Sequence, residues 1–552
     1  MGSRVHSLSL YLSLLVIAFL VAAGCRSSTS HSTQIGPGTA PAPQTPTNVL
    51  TYHNDIARTG QNLTETILTH ANVNSSSFGK LFSVPMDGKV DAQPLYVSQV
   101  NLPMQGVRSV IFAATEHDSV YAIDANNGAM LWHATLLVPG EVPSDDRGCG
   151  QVTPEIGITA TPVIDLTAGA HGTLYVLGMS KDAGANYHHR LHALDITTGL
   201  EQFGGPVEIT ASYPGTGDNS SNGQVLFDPK QYKTRPSLLL LNGVIYTGWG
   251  SHCDFRPYTG WLIGYDRLTL KQTSVFNFAP NGSGAALWNA GGGLAADSAT
   301  GRIFVAVANG SFDAALDARG FPKDGDYGNA FVRLSTLNNR LIPEDYWTMS
   351  TTVTESAQDQ DLGSGGILLL PDLTNASGQT VQLGTGAGKN GKLYVFNRAN
   401  MGKFNPQNNA ALYQELPGAL GGVVFTSPAW FNGTVYYGAV GDRIRAFSVS
   451  SAVLPSQPTF TTSNFFDYPG TTPSISANGT SDAILWAVEN TNPAVLHAYD
   501  ATNLSVELYN SRQVNSGRDL FGPGNKYVTP AIADGRVIVG GMNSVAVFGL
   551  LQ

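Results

Sequence analysis

Apolar and polar positions alternate in short bursts along this chain, and the burst at Val110–His133 sets the pattern. Val110–Thr115 is an apolar run. Ser119–Asp124 alternates and is rich in β-branched and aromatic residues. Ala129–His133 carries Trp132. These spans predict three short strands. The polar turn Glu116-His117-Asp118 separates the first two. Asn126-Asn127-Gly128 separates the last two, and its glycine suits a tight reversal. So short a meander cannot bury its faces alone and needs copies of itself.

The copies are present. Strand, turn and strand with a closing acidic residue recur at 174–199, 244–269 and 484–503, and the signatures AID, ALD, GYD and AYD end at Asp124, Asp195, Asp266 and Asp500. Looser copies run through 302–337, 380–398, 434–449 and 536–550, making eight units in all. Their spacing averages about 60 residues, longer than usual propeller repeats, with loops absorbing the excess. The last unit lacks an outer strand, and the unpartnered segment Phe78–Val84 can supply it. The expected fold is therefore all-β, an eight-bladed β-propeller closed by an N-terminal strand pairing into the last blade. Gln93-Pro94, Thr161-Pro162, Arg235-Pro236, Ser427-Pro428, Thr472-Pro473 and Thr529-Pro530 mark where the chain reaches the ring centre. A proline at a strand's start sacrifices no ladder hydrogen bond.

Composition changes the picture at the ends more than in the middle. The 552-residue chain carries 62 Gly and 30 Pro, as many tight turns require, and only 13% Asp, Glu, Lys and Arg, so binding surfaces are expected to be polar and uncharged. With a net charge of −10 and no basic block, nucleic acid is not an expected partner. Leu8–Ala23 is an apolar run followed by Gly24-Cys25, which resembles a lipoprotein signal with lipidation at Cys25. The expected organisation is a signal at 1–25, a Ser/Thr/Pro-rich tether at 26–50 and a propeller at 51–552. The chain is expected to be exported to the cell envelope and held at a membrane only by its N-terminal lipid. Of the other cysteines, Cys149 and Cys253 are expected to pair in an oxidising compartment, the alternative being two buried thiols.

Candidate chemistry is sparse. His53, Asp55 and Arg58 precede the closing strand and read either as part of a site or as a hydrogen-bonded lid over one face. His188, His189 and His192 invite a metal, but no carboxylate or thiol pattern completes a site, and solvated or core histidines are the expectation. Gly291-Gly292-Gly293 reads as close backbone approach. Trp249, Trp261 and Trp430 could stack on sugars but read as blade core. No phosphate loop, nucleophile elbow or zinc motif is present.

The general repeat over 78–550, and more closely residues 149–400, resembles the eight-bladed propeller of pyrroloquinoline quinone (PQQ) dependent alcohol dehydrogenases. Cys149-Gly150-Gln151 falls where that family carries two adjacent cysteines against the quinone; here Cys253 is the available partner. The family's carboxylate-binding Arg has no counterpart in Thr153–Thr159, where Glu155 and Ile156 stand. Gly250–Trp261 is similar to the segment with a glutamate ligand for Ca²⁺, and Asp254 is its nearest acidic residue. Ala286-Leu287-Trp288-Asn289 resembles the segment whose Trp floors the quinone, a role a large π face suits. Ala308–Ser311 resembles the segment with an Asn ligand, here Asn309. Asp324–Asn329 resembles the stretch with the catalytic Asp, for which Asp326 is first choice and Asp324 the alternative. Lys389–Tyr394 is similar to the segment whose cation, here Lys389, contacts the quinone. The resemblance thus implies Trp288, Lys389, Cys149 and Cys253 around PQQ, with Asp254, Asn309 and Asp326 on Ca²⁺, the cation polarising the quinone and the Asp taking the substrate proton.

Three readings follow. The missing second cysteine and Arg, with the low charge, favour a non-catalytic binding or scaffold propeller without cofactor, whose partner is a small molecule, a glycan or an envelope protein. The alternative is a PQQ- and Ca²⁺-dependent oxidoreductase of alcohols or sugars. The third is a carbohydrate-active enzyme. Fold alone does not choose among them.

Overall fold

A computed structural model describes residues 47–552; Cys25 and the expected signal and most of the tether lie outside them. The described chain is a β-propeller built from antiparallel sheets, save that Gln61–Asn62 adds in parallel to Ser474–Asn478, with one six-residue α-helix at Thr352–Ala357. Its sheets of four or five strands number eight among the described residues, beside two small ones. The first pairs Leu95–Leu102, Gly106–Ala114, Ser119–Asp124 and Met130–Thr135 in sequence order. Six more follow along the chain. The last holds Ala531–Ala533, Arg536–Gly540 and Ser544–Leu550. Its fourth strand is Phe78–Pro85, which lies antiparallel to Ser544–Leu550 with Phe78 opposite Leu550 and Pro85 opposite Ser544. The prolines named above stand just before the innermost strands, as at Pro94, Pro162, Pro428, Pro473 and Pro530.

The core lies between facing sheets. Both faces of each sheet are apolar, so successive sheets stack. Trp249 and Trp261 of the third sheet meet Tyr175 and Leu177 of the second. Phe304 and Phe331 of the fourth meet Tyr394 and Phe396 of the fifth. Val120 and Ala122 of the first share one cluster with Leu174 and Val176 of the second and with Val545 and Val547 of the last. His189 belongs to this core. Burial pushes its imidazole down to about 4, and its ring stands edge-on to Trp249 at 4.9 Å. His188 and His192 pair separately with Glu208 and Glu201.

Residues 49–62 cross the sheets at their inner ends. Val49 exchanges hydrogen bonds with Tyr96 of the first sheet, and the Leu50 carbonyl accepts from Ile164 of the second. The Ile56, Ala57, Thr59 and Gly60 carbonyls accept in turn from Ala296, Leu369, Trp430 and Ile475 of the fourth to seventh sheets, at 2.7–3.0 Å. Asn62 Nδ2 donates to the Ile532 carbonyl of the last, at 3.1 Å. The third is reached by a side chain: Arg58 Nη2 donates to the Leu238 carbonyl at 3.2 Å. Arg58 is 1% exposed and also donates to Leu294 O, Thr51 Oγ1 and Tyr52 O at 2.8–2.9 Å. Burial lowers its guanidinium to about 10, partly offset by Asp55, so it stays charged at neutral pH. The segment thus has the lid character expected of it. Gly60 has φ +68°, and a Cβ there would lie 2.6 Å from the His53 ring, so the close approach needs glycine.

Arg58→Met removes these donors and leaves buried carbonyls unpaired. It is expected to cost at least ~3 kcal/mol, measured by denaturant unfolding. A loss under ~1 kcal/mol would show that the crossing segment does not hold the sheets.

Candidate functional site

Inner loops of successive sheets enclose a cavity of about 110 Å³. Gln151, Arg235, Asp254, Trp288, Asp361 and Lys389 line it, and Phe425, Tyr468 and Tyr527 complete the wall. Trp288 precedes a one-turn 3-10 helix at Asn289–Gly291. Its ring lies on bare backbone: a Cβ on Gly250 would sit 2.7 Å from it, so glycine there lets the indole lie flat.

Arg235 follows the short strand Tyr232–Lys233, which pairs with Gly250 and Ser251. Alternation along an extended chain puts Lys233 and Arg235 on one side. Both donate to Gln151 Oε1, at 3.1 and 3.2 Å. The Arg235 guanidinium lies 4.3 Å from the Tyr527 ring centre and 5.9 Å from that of Trp288. Its Nε is buried without a partner. Burial lowers the Lys233 ammonium to about 7, helped by the Arg235 charge.

Opposite these cations stands an ion-pair knot. Lys389 Nζ lies 2.6 Å from Asp359 Oδ1 and 2.6 Å from Asp361 Oδ2. Asn309 donates its backbone N–H to Asp361 Oδ1 at 2.7 Å and its Nδ2 to Asp359 Oδ1 at 2.9 Å. Burial pushes the Asp361 carboxyl up to about 6, against the pull of Lys389. Burial also opposes the Lys389 charge, but the two carboxylates hold its ammonium above the usual lysine range.

Of the residues singled out in the sequence, Trp288, Lys389 and Asp254 meet around the cavity. Asp254 also borders an adjoining groove of about 440 Å³, with Asn309, Ser283, Ser311, Ser356 and Asp359. Asp254 accepts the Tyr258 hydroxyl. Asp326 lies outside the cavity lining and accepts the Asn281 backbone N–H at 3.0 Å; burial pushes it to about 6, with Asp324 and Asp313 adding to the rise. Cys149 and Cys253 form a disulfide with Cα atoms 5.4 Å apart, tying the loop that carries Gln151 to the loop that carries Asp254. Among the described residues no three His, Cys, Asp or Glu side chains are grouped to hold a metal ion.

Arg235 and Asp361 were not singled out. The family resemblance puts a carboxylate-binding Arg in Thr153–Thr159, but there Glu155 bonds His117 and Ile156 is buried in a β-bridge to Ser144. Arg235 arrives instead from the next sheet. It was visible only as part of a proline-marked strand start. Asp361 stands in the acidic loop Gln358–Asp361, whose one signal was charge.

The profile of the glucose/ethanol/alcohol dehydrogenase β-propeller domain, labelled PQQ, matches residues 86–406. No curated protein matches the chain. Among solved structures, the quinohemoprotein alcohol dehydrogenase of Comamonas testosteroni is 16% identical with a TM-score of 0.58, over 92% of this chain and 81% of its own. A quinohemoprotein alcohol dehydrogenase of Pseudomonas putida HK5 is 14% identical with a TM-score of 0.59, over 91% and 80%. A europium-containing methanol dehydrogenase is 12% identical with a TM-score of 0.59, over 91% and 98%. At such identities the likeness is one of fold.

Two outcomes are expected. The disulfide closes a separation of 104 residues. Cys149→Ser and Cys253→Ser should each lose ~2–4 kcal/mol in oxidising buffer, and the difference should vanish in reductant; equal unfolding midpoints in oxidising buffer would contradict it. Asp361 holds its proton more tightly folded, at about 6, than its ordinary 3.8. Its contribution to stability is therefore present below that ordinary value and lost as pH rises through the folded one. The stability of wild type relative to Asp361→Asn should fall across this window, measured by unfolding midpoints; a flat difference would refute the shift.

Proposed function

The chain belongs to the glucose/ethanol/alcohol dehydrogenase β-propeller family, and from that membership we propose that its central cavity binds PQQ and serves the oxidation of an alcohol or sugar. The observation that carries this reading is the convergence of a flat indole, Trp288, and a buried guanidinium, Arg235, on one cavity. The unpartnered Nε of Arg235 suits a ligand carboxylate, since a buried donor without an acceptor is costly. The residues therefore fit a planar anionic quinone. They fit a divalent cation poorly, because Asp361 and Asp359 are already paired with Lys389. Bound quinone would supply the two-electron acceptor. The chain's own part is to stack the ring on Trp288, to hold a carboxylate at Arg235, and to accept the substrate hydroxyl proton at Asp361. The groove beside Asp254, lined by serine hydroxyls, Asn309, Arg256 and Asp359, would admit the substrate.

We read the eight sheets as eight blades of one closed ring spanning 51–552. The core shared by the first and last sheets supports this, as do the contacts of residues 49–62 with all eight. We further place the chain in the cell envelope, exported and lipid-anchored at Cys25 through the tether 26–50. Electrons would leave to an external carrier, as the sequence holds no haem-attachment motif.

One observation favours the non-catalytic reading, in which the propeller binds a glycan or an envelope protein. The cavity, about 110 Å³, is smaller than the ~300 Å³ of ordinary small-molecule sites. Titrating the protein with PQQ while following Trp fluorescence separates the two. Saturable quenching in the micromolar range is expected, with affinity reduced about tenfold or more in Arg235→Met. No quenching by PQQ would leave the scaffold reading.

A further inference from the structure

Of the three residues expected on a cation, one lies outside the cavity and the other two carry hydrogen bonds to neighbouring side chains. Asp326 accepts the Asn281 N–H outside the cavity. Asp254 accepts the Tyr258 hydroxyl. Asn309 faces Asp359 with its Nδ2 at 2.9 Å. A carboxylate only accepts, so the amide presents its donor to Asp359 and its Oδ1 is turned from that carboxylate.

The remaining buried carboxylate, Asp361, is 2% exposed. One of its oxygens takes the Asn309 N–H at 2.7 Å and the other takes Lys389 Nζ at 2.6 Å. The same ammonium reaches Asp359 Oδ1 at 2.6 Å. It therefore fills the point where the two carboxylates converge. A hard dication needs about six to eight oxygens there, and would have to expel a charge of its own sign. Asp254 contributes further negative potential, raising the Asp361 proton affinity. The one ammonium thus bridges both carboxylates of the knot, Asp359 and Asp361.

We infer that the Lys389 ammonium holds the position a divalent cation would take, so that the cavity receives its anionic ligand without a metal. The second half rests on the quinone reading; the first does not. Lys389 then supplies, as a tethered point charge, the positive field beside the ligand. Asp359 and Asn309 act as positioning residues that aim it.

The test uses the metal alone. Terbium is added to the wild-type protein, and luminescence sensitised through Trp288 is read as the part that Asp361→Asn abolishes and Ca²⁺ competes away. Wild type is expected to give no such signal up to about 1 mM, the weakest affinity of protein calcium sites. Lys389→Met should gain a saturable signal, and Lys389→Gln a smaller one, each checked for wild-type circular dichroism. An Asp361-dependent signal in wild type, or none in either folded Lys389 variant, overturns the proposal. As a second readout, PQQ affinity should be equal within about twofold in Ca²⁺ and in chelator. A tenfold gain with Ca²⁺ would overturn it. Failure of PQQ to bind would defeat the quinone reading while leaving the terbium result to decide the role of Lys389.

Discussion

The network that the rest of the molecule depends on is centred on Arg58. A charged guanidinium 1% exposed would be prohibitive without partners, and here carbonyls from three regions supply them: Tyr52, Leu238 and Leu294. Around it the segment 49–62 bonds to one inner strand after another. Inner strands of a propeller leave an edge at the axis, and unpaired edges are both unstable and sticky. This segment satisfies that edge. It also shares its anchors with the cavity wall. Leu238 follows Arg235 by three residues and Leu294 follows Trp288 by six, so the groups that anchor Arg58 and the groups that line the cavity lie on the same two strand starts.

Glycines between Trp288 and the strand start at Leu294 pack closely against polar side chains, Arg58 among them. A Cβ at Gly292 would lie 2.3 Å from Ser427 Oγ, and one at Gly293 would lie 2.2 Å from Ser237 Oγ and 2.6 Å from Arg58 Nε. The glycines thus let the crossing segment support the cavity floor directly. Little volume is left for relaxation, and close-packed interiors transmit strain. A change at Arg58 should therefore be felt at Trp288 as well as in stability.

Much of this was legible in the sequence, for identifiable reasons. The strands were visible because alternation and turn glycines are local signals, and their repetition at Asp124, Asp195, Asp266 and Asp500 gave the order of the sheets. Trp288 and Lys389 were visible through motif resemblance, and both line the cavity. The pairing of Cys149 with Cys253 followed from cysteine count and compartment, and the disulfide is present. Arg235 and Asp361 were hidden because their roles arise between sheets: Arg235 meets Gln151 across 84 residues and Tyr527 across most of the chain. Asp361 gains its meaning from Lys389, 28 positions on. Asp326, favoured by its motif, sits among Gly282 and Ser311 rather than in the cavity; a motif fixes residue order but not the direction in which a loop turns.

Two tyrosines, Tyr468 and Tyr527, close one side of the small cavity. Tyr527 has φ +63°, a left-handed conformation that costs ~1–3 kcal/mol in a non-glycine residue unless its surroundings hold it. Its ring faces the Arg235 guanidinium, 4.3 Å from the ring centre, and the Tyr468 hydroxyl lies 3.4 Å from its own. Burial alone would raise the Tyr527 hydroxyl's pKa, but the Arg235 charge keeps it below the usual tyrosine range, so the same cation governs both ring and hydroxyl. Tyr468 is 45% exposed and has solvent to swing into. A carboxylate arriving at Arg235 Nε would compete for the charge that Tyr527 faces. Ligand binding and release of the cover would then draw on one guanidinium, and the cavity would reach its working size only as it fills.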